Sequence, residues 1–257
     1  MHYTIIKNTF LCLVCIVFIV SCATPKQTRK LHPDVLIYQA KNSKPRVVKI
    51  NPKYRKLRAT YLSSNQQYSP RIQKLIQLYG KQASKRIKDW QYTIIDHRRA
   101  SALKKLNVAN SFINRLNFID DRIHWRKKDY WATPLETLAS SGGDCEDFAI
   151  AKYYMLTKLG IADQCLTLNY VKVRNYKKPH MVLIYQCPGK NTPIVLDNLN
   201  PRLLSVKQRS DLIPVYSFNQ TGMWLTNTLG EKQKLSSISK LRRWDEVRLR
   251  IKKEQLN

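Results

Sequence analysis

The chain has 257 residues, 43% hydrophobic, 10% aromatic and 25% charged, a globular composition long enough for one domain of moderate size with appendages. Lysine and arginine number 46 against 17 acids, a formal net charge of +29. Such a field favours a polyanion (nucleic acid, anionic lipid or an acidic protein) and says nothing about fold.

The N-terminus narrows that choice. Phe10 to Val20 is an unbroken apolar run of 11 residues, too short for a membrane span, which needs roughly 20. It suits the hydrophobic region of a secretory signal, with Lys7 ahead of it. The run ends in "IVSC", Ile19 to Cys22, which resembles the lipobox of bacterial lipoproteins, in which the cysteine is lipidated and becomes the new first residue. On that resemblance residues 1–22 read as a lipoprotein-type signal peptide and Cys22 as a membrane anchor; a cleaved signal or a short anchor without lipid is the other reading. Ala23 in place of Asp does not ask for inner-membrane retention on this analogy. An exported chain places chromosomal DNA far down the list of partners, and no nucleic-acid partner is expected.

Residues 23–65 read as a basic tether. They hold Pro25, Pro33, Pro45 and Pro52 and no sustained amphipathic period, and residues 23–58 carry 11 Lys/Arg against one acid, Asp34. A solvated arm and a headgroup-binding arm beside a lipid anchor both fit. The folded domain is assigned to 66–257. Its first part is helical: "RIQKLIQLYG" places Ile72, Leu75, Ile76 and Tyr79 on one face with Gly80 as a stop, and further helices are expected near 82–98 and 100–117. After a loop, Pro134 opens a short helix. "GGDCED", Gly142 to Asp147, then leads into a strong helix over 144–159, ended by Gly160. The period changes to strands at 165–173, 180–187 and 193–199. The tail, 236–254, reads as a basic amphipathic helix with Ile238, Leu241, Val247 and Ile251 near one face, docked on the body. Helices followed by an antiparallel run of strands make an α+β plan.

Cys145 stands in the first turn of the helix at 144–159, where unpaired N–H groups and the helix dipole favour a thiolate. A nucleophilic cysteine needs a base and an orienting group. Among five histidines, His2 falls in the signal, His32 in the tether, His97 within a helix and His124 in a loop. His180 opens the strand "HMVLIY", and the following strand ends in "VLDN", which sets Asp197 beside it. A helix N-terminus facing paired strands and carrying Cys, His and Asp in that order is the papain-like arrangement. The pattern alone does not separate a peptidase from a transglutaminase or an acyltransferase, since each attacks an acyl carbon with a cysteine. A non-catalytic lipoprotein binding an anionic envelope polymer through its basic surface is the reading from another class.

Three acids, Asp144, Glu146 and Asp147, flank Cys145 and oppose its ionisation. They can be helix caps. A hard divalent cation held by their oxygens would cancel their charge and hold the loop still. Of the cysteines outside the signal and lipobox, Cys145, Cys165 and Cys187 remain, one pair and one free thiol in an oxidising compartment. A hairpin centred on Tyr176 puts Cys165 opposite Cys187, and a one-residue slip would send their side chains to opposite faces.

"DYWATPLETLASSGGDCEDFAIAKYYMLTKLGI", "YVKV", "HMVLIY", "VLDNL" and "SDLIPVYSFNQTGMWL" occur in an order that resembles the bacterial transglutaminase-like cysteine proteinases of the LapG type, over about 70–250. The resemblance implies a papain-like, transglutaminase-like fold with Cys145 as nucleophile, His180 as base and Asp197 as orienting acid. It implies calcium at Asp144 and Glu146, with Asp147 as a further candidate. It also implies a periplasmic calcium-dependent endopeptidase that cuts near the N-terminus of a large surface adhesin, releases cells from a biofilm, and is sequestered by an inner-membrane receptor for cyclic di-GMP. The lipobox, the long basic tether and the Cys165/Cys187 pair depart from the family pattern.

Overall fold

The computed structural model describes residues 69–187, 189, 192–226, 232–235 and 241–255. The signal, Cys22, the tether and Ile238 lie outside these. Helix α1, Pro70–His97, is capped by the Ser69 hydroxyl and kinks at Gly80, whose φ of 74° is open to glycine; the expected stop is a break between two helical segments. Helix α2, Ala102–Ile113, is shorter than the expected 100–117. Beyond it, strand β1, Asn117–Phe118, pairs in parallel with β2, Gly142–Gly143, so Asn117, read as the end of the helix, belongs to a sheet contact. Between them come α3, Asp121–His124, and α4, Pro134–Ser140, which carries a capping box between Thr133 and Glu136.

Helix α5, Cys145–Lys158, follows directly, and Gly160 at φ 86° ends it. Every residue from Asp147 to Leu156 is buried, the charged residues Asp147 and Lys152 among them, so the helix is packed on all sides. It lies against α2 and α4 and against strands β3, Leu166–Val173, and β4, His180–Tyr185.

The main sheet has seven antiparallel strands in the order β6-β5-β4-β3-β7-β8-β9. Its other members are β5, Ile194–Leu196, β6, Leu204–Ser205, β7, Leu212–Phe218, β8, Met223–Thr226, and β9, Lys232–Leu235. The period-two alternation is plain in β3 and β4. Leu166, Leu168, Met181 and Leu183 face the main core, and Val171 and Val182 form a smaller apolar cluster on the opposite face with Val195. Helix α6, Arg242–Gln255, docks on the body through buried Trp244, Val247 and Ile251. The Trp244 indole donates to the carbonyl of Asn219 at 3.1 Å and meets Phe218 edge-on. Arg250 ties the same helix to Glu136 at 2.8 Å. No helix among the described residues is long and apolar enough to cross a membrane.

Cys165 and Cys187 form a disulfide, as expected. The hairpin register does not follow the expectation. Leu166 pairs with Tyr185 and Val171 with His180, one residue off a hairpin centred on Tyr176, and the N–H of Gln186 donates to the carbonyl of Cys165. The slip does not forbid the bond, because neither cysteine belongs to the ladder. Cys165 ends the 3₁₀ turn Asp163–Cys165 and Cys187 lies beyond β4, where the alternation of faces no longer applies.

Candidate active site

The two glycines of "GGDCED" set the approach to α5. Both are buried. A Cβ on Gly142 would stand 2.6 Å from the carbonyl oxygen of Asn117, and one on Gly143 would stand 2.6 Å from the Cβ of Asp147. The turn therefore lets Asp147 fold back beneath its own N-terminus. Asp147 is fully buried; its Oδ1 accepts the N–H of Ala132 at 2.6 Å, and its Oδ2 accepts the Trp125 indole N–H at 3.3 Å and the N–H of Asp144 at 3.4 Å. It binds the loop before α4 to the start of α5.

Cys145 is thus presented at the first position of α5 and is the free cysteine among the described residues. Its thiol donates to Oε2 of Glu146 at 2.9 Å. Burial pushes its pKa well above the ordinary thiol value, and the charges of Glu146 and Asp144 and the bond to Glu146 add to this. The backbone N–H of Met181 acts in the opposite direction.

Strand β4, against which α5 packs, carries the second residue of interest. His180 opens the strand and is buried. Its Nε2 lies 2.7 Å from Oδ1 of Asp197, the residue after β5. Burial opposes the charge on Asp197, but the bond to His180 and the positive charges of His180, Arg209 and Lys152 hold its carboxyl well below the usual range. Oδ2 accepts from Nη1 of Arg209 at 2.8 Å, and Oδ1 also accepts the N–H of Leu199 at 3.0 Å. Asn114 of the α2 C-cap donates to the carbonyl of Asp197 at 2.8 Å. Neither His97 nor His124 joins this group. His97 bonds its own helix at Thr93, and His124 bonds Ser140.

The acids beside the thiol form a larger cluster than the motif shows. Asp144, Glu146 and Asp147 are joined by Asp121 and Asp129, with ligand oxygens of Asp121, Asp144 and Asp147 within 4.8 Å of one another, and those of Asp121, Asp129 and Glu146 likewise. Asp121 is buried, and its Oδ2 accepts the N–H of Tyr130. Oδ1 of Asp121 and Oδ1 of Asp144 are buried without a hydrogen-bond partner, an arrangement that costs free energy unless something positive meets them. Burial and the neighbouring acids push Asp121 up to about 7 and Asp144 up to about 11. An all-oxygen donor set with unpartnered buried carboxyl oxygens suits a hard cation of the calcium type. Asp121 and Asp129 lie outside the Cys145 motif. The one available signal was three acids within ten residues, Asp120, Asp121 and Asp129, in a strongly basic chain.

A model of the family described as bacterial transglutaminase-like cysteine proteinase matches residues 75–230. No curated protein sequence matches the chain. Among solved structures, EGTA-treated LapG from Legionella pneumophila is 35% identical, with a TM-score of 0.61, over 71% of this chain and 97% of that one. Calcium-bound LapG from the same organism is 35% identical, with a TM-score of 0.60, over 72% of this chain and 99% of that one. The match spans the helical half and most of the sheet. The chain belongs to the bacterial transglutaminase-like cysteine proteinases.

Proposed function

We propose that the protein is a calcium-dependent cysteine endopeptidase in which Cys145 is the nucleophile, His180 the base and Asp197 the orienting acid. The observation that carries this reading is the meeting of three elements at one point. His180, at the start of β4, binds Asp197 beyond β5 at 2.7 Å, and β4 packs against α5, which begins at Cys145. With Nε2 on Asp197, Nδ1 is the ring nitrogen left for the thiol proton. His180 takes that proton, the sulfur attacks the scissile carbonyl, and the imidazolium returns the proton to the leaving amine. Asp197, kept ionised by its surroundings, stabilises the imidazolium in between. Water then releases the acyl group with His180 again as base.

Asp144 and Glu146, with Asp121 and Asp147 completing the oxygen set, would hold calcium. Bound there, it would supply positive charge that offsets the acids around the thiol and favours its ionised form. The calcium-bound relative supports the choice of metal.

The substrate we assign is a large surface adhesin, cut in its N-terminal region and so released, with biofilm dispersal as the consequence. The site of action is the periplasm, with the chain anchored through lipidated Cys22. An inner-membrane cyclic di-GMP receptor is assigned as the inhibitor that sequesters it. Support for these comes from family membership and from the lipobox-like "IVSC". The deciding experiment compares the N-termini of released surface proteins in cells carrying the wild-type chain or Cys145→Ala. A new adhesin N-terminus that needs Cys145 is expected. The same N-terminus in both strains would reject the assignment.

A further inference from the structure

The carboxylate of Asp197 is held more firmly than the orientation of one histidine by one oxygen requires. While Oδ1 serves His180 and Leu199, Oδ2 is taken by Nη1 of Arg209 at 2.8 Å. The guanidinium is itself fixed. Its Nε and Nη2 form a fork on the two oxygens of Asp211, at 2.9 and 2.8 Å. The Arg209 side chain is 4% exposed, that of Asp197 0% and that of Asp211 41%. The cation therefore bridges from a solvent-facing acid to a buried one. Burying a guanidinium carries a desolvation cost, and the surrounding loop does not require it for closure. The N–H of Arg209 bonds the carbonyl of Val206, the N–H of Leu212 bonds the carbonyl of Arg209, and Arg174 at the end of β3 bonds the carbonyl of Asp211.

We infer that Arg209 is a positioning residue for the reaction: anchored on Asp211, it fixes Oδ2 of Asp197 so that Oδ1 stays on Nε2 of His180 and the imidazole keeps its other nitrogen toward Cys145. The inference rests on the Cys145–His180–Asp197 reading. Rotation about the Cβ–Cγ bond of an aspartate is soft, with broad wells. One hydrogen-bonded oxygen leaves the carboxylate free to turn, whereas a second oxygen on a planar, pre-organised guanidinium does not. Lys152, fully buried in α5 and electrostatically coupled to Asp197, adds charge. An ammonium on a flexible stem supplies less direction than a fork.

The test is a mutant cycle on the calcium-loaded full chain, read as the rate of Cys145 alkylation by iodoacetamide at fixed pH. Arg209→Met is expected to slow alkylation by about ten- to a hundredfold, the scale of a catalytic group displaced by about 1 Å. Arg209→Lys, which returns the charge without the fork, is expected to recover part of that loss. In an Asp197→Asn background, Arg209→Met is expected to add less than about twofold, because its effect passes through Asp197. An equal loss in both backgrounds overturns the inference. A wild-type rate in Asp197→Asn alone instead rejects the triad reading beneath it. If Arg209→Met does not fold, Arg209→Lys completes the same cycle. The His180 Nε2 proton resonance gives a second readout, expected to broaden or disappear in the Arg209 variant at unchanged melting temperature. A slowed reaction with that resonance intact also overturns the inference.

Discussion

Nε2 of His180 lies 2.7 Å from Oδ1 of Asp197, so the first residue of β4 is joined to the residue that follows β5. His180 also pairs with Val171 of β3. The imidazole is thereby held by sheet register and not by a flexible loop. This predicts that Cys145 reactivity depends on His180. In the calcium-loaded protein, His180→Ala should slow alkylation of Cys145 by about 10²–10⁴, the range for loss of a positioned base. Alkylation at the wild-type rate would remove His180 from the mechanism.

Gly143 tests the acidic turn. A Cβ there would press on the Cβ of Asp147 at 2.6 Å, and Asp147 is the buried acid that ties Ala132 and Trp125 to the start of α5. Gly143→Ala is expected to destabilise the fold by about 1–3 kcal/mol, the usual cost of overpacking. Chemical denaturation measures it, and unchanged stability would mean that the turn relaxes without cost.

Calcium should bind with release of protons. Burial and mutual repulsion push Asp121 up to about 7 and Asp144 up to about 11, so at neutral pH the metal-free cluster carries protons that a metal must displace. Titration calorimetry at pH 7 in buffers of different ionisation enthalpy should give buffer-dependent heats, and affinity should rise with pH. At free calcium about 100 times Kd, the folded state should gain about 2.7 kcal/mol. Chelation should reverse this, and Asp121→Asn should weaken it. Heats independent of buffer would contradict the protonated cluster.

The disulfide should be worth keeping. Cys165 and Cys187 are 22 residues apart, and closing a loop of that size stabilises by about 3 kcal/mol in the chain-entropy model. The double variant Cys165→Ala/Cys187→Ala should lose about that much while Cys145 remains the alkylated thiol. Peptide mapping of non-reduced protein should recover residues 165 and 187 as one linked peptide; two separately alkylated cysteines would refute the pairing.

Local signals in the sequence reached far. Glycines, Asp144 and an apolar run marked α5 and placed Cys145 at its start, and alternating residues marked β3 and β4. What stayed hidden depended on contacts between distant segments. The hairpin register was set by how the turn before β4 closes, which composition does not encode to one residue. Asp121 lies 23 positions before Asp144 in the numbering, and the parallel pairing of β1 with β2 brings their segments together. Arg209 is one of 46 basic residues. Nothing local distinguishes it from the others; its role appears once β5 and the turn before β7 are neighbours. Trp244 completes the face of α6 that Val247 and Ile251 suggested, and it became visible as a core residue through its contact with Asn219.

Lys152 links this network to pH. It is fully buried in α5, and burial brings its ammonium down to about 7 from an ordinary 10.5, against the pull of Asp197. In the unfolded chain the lysine binds its proton up to the ordinary value; in the folded protein it releases it near 7. Between these limits the unfolded state holds more protons, so this residue makes stability rise with pH across the window from about 7 to 10.5. Below about 7 both states are protonated and the full penalty of the buried charge applies, with no further pH dependence from this group. Lys152→Met replaces the ammonium with an apolar chain of similar length. Its stability relative to wild type should be greatest below pH 7 and should shrink steadily toward pH 10.5. Urea unfolding of the two proteins at pH 6, 8 and 10 measures the difference directly. A constant difference at all three values would show that Lys152 keeps an ordinary pKa in the folded protein.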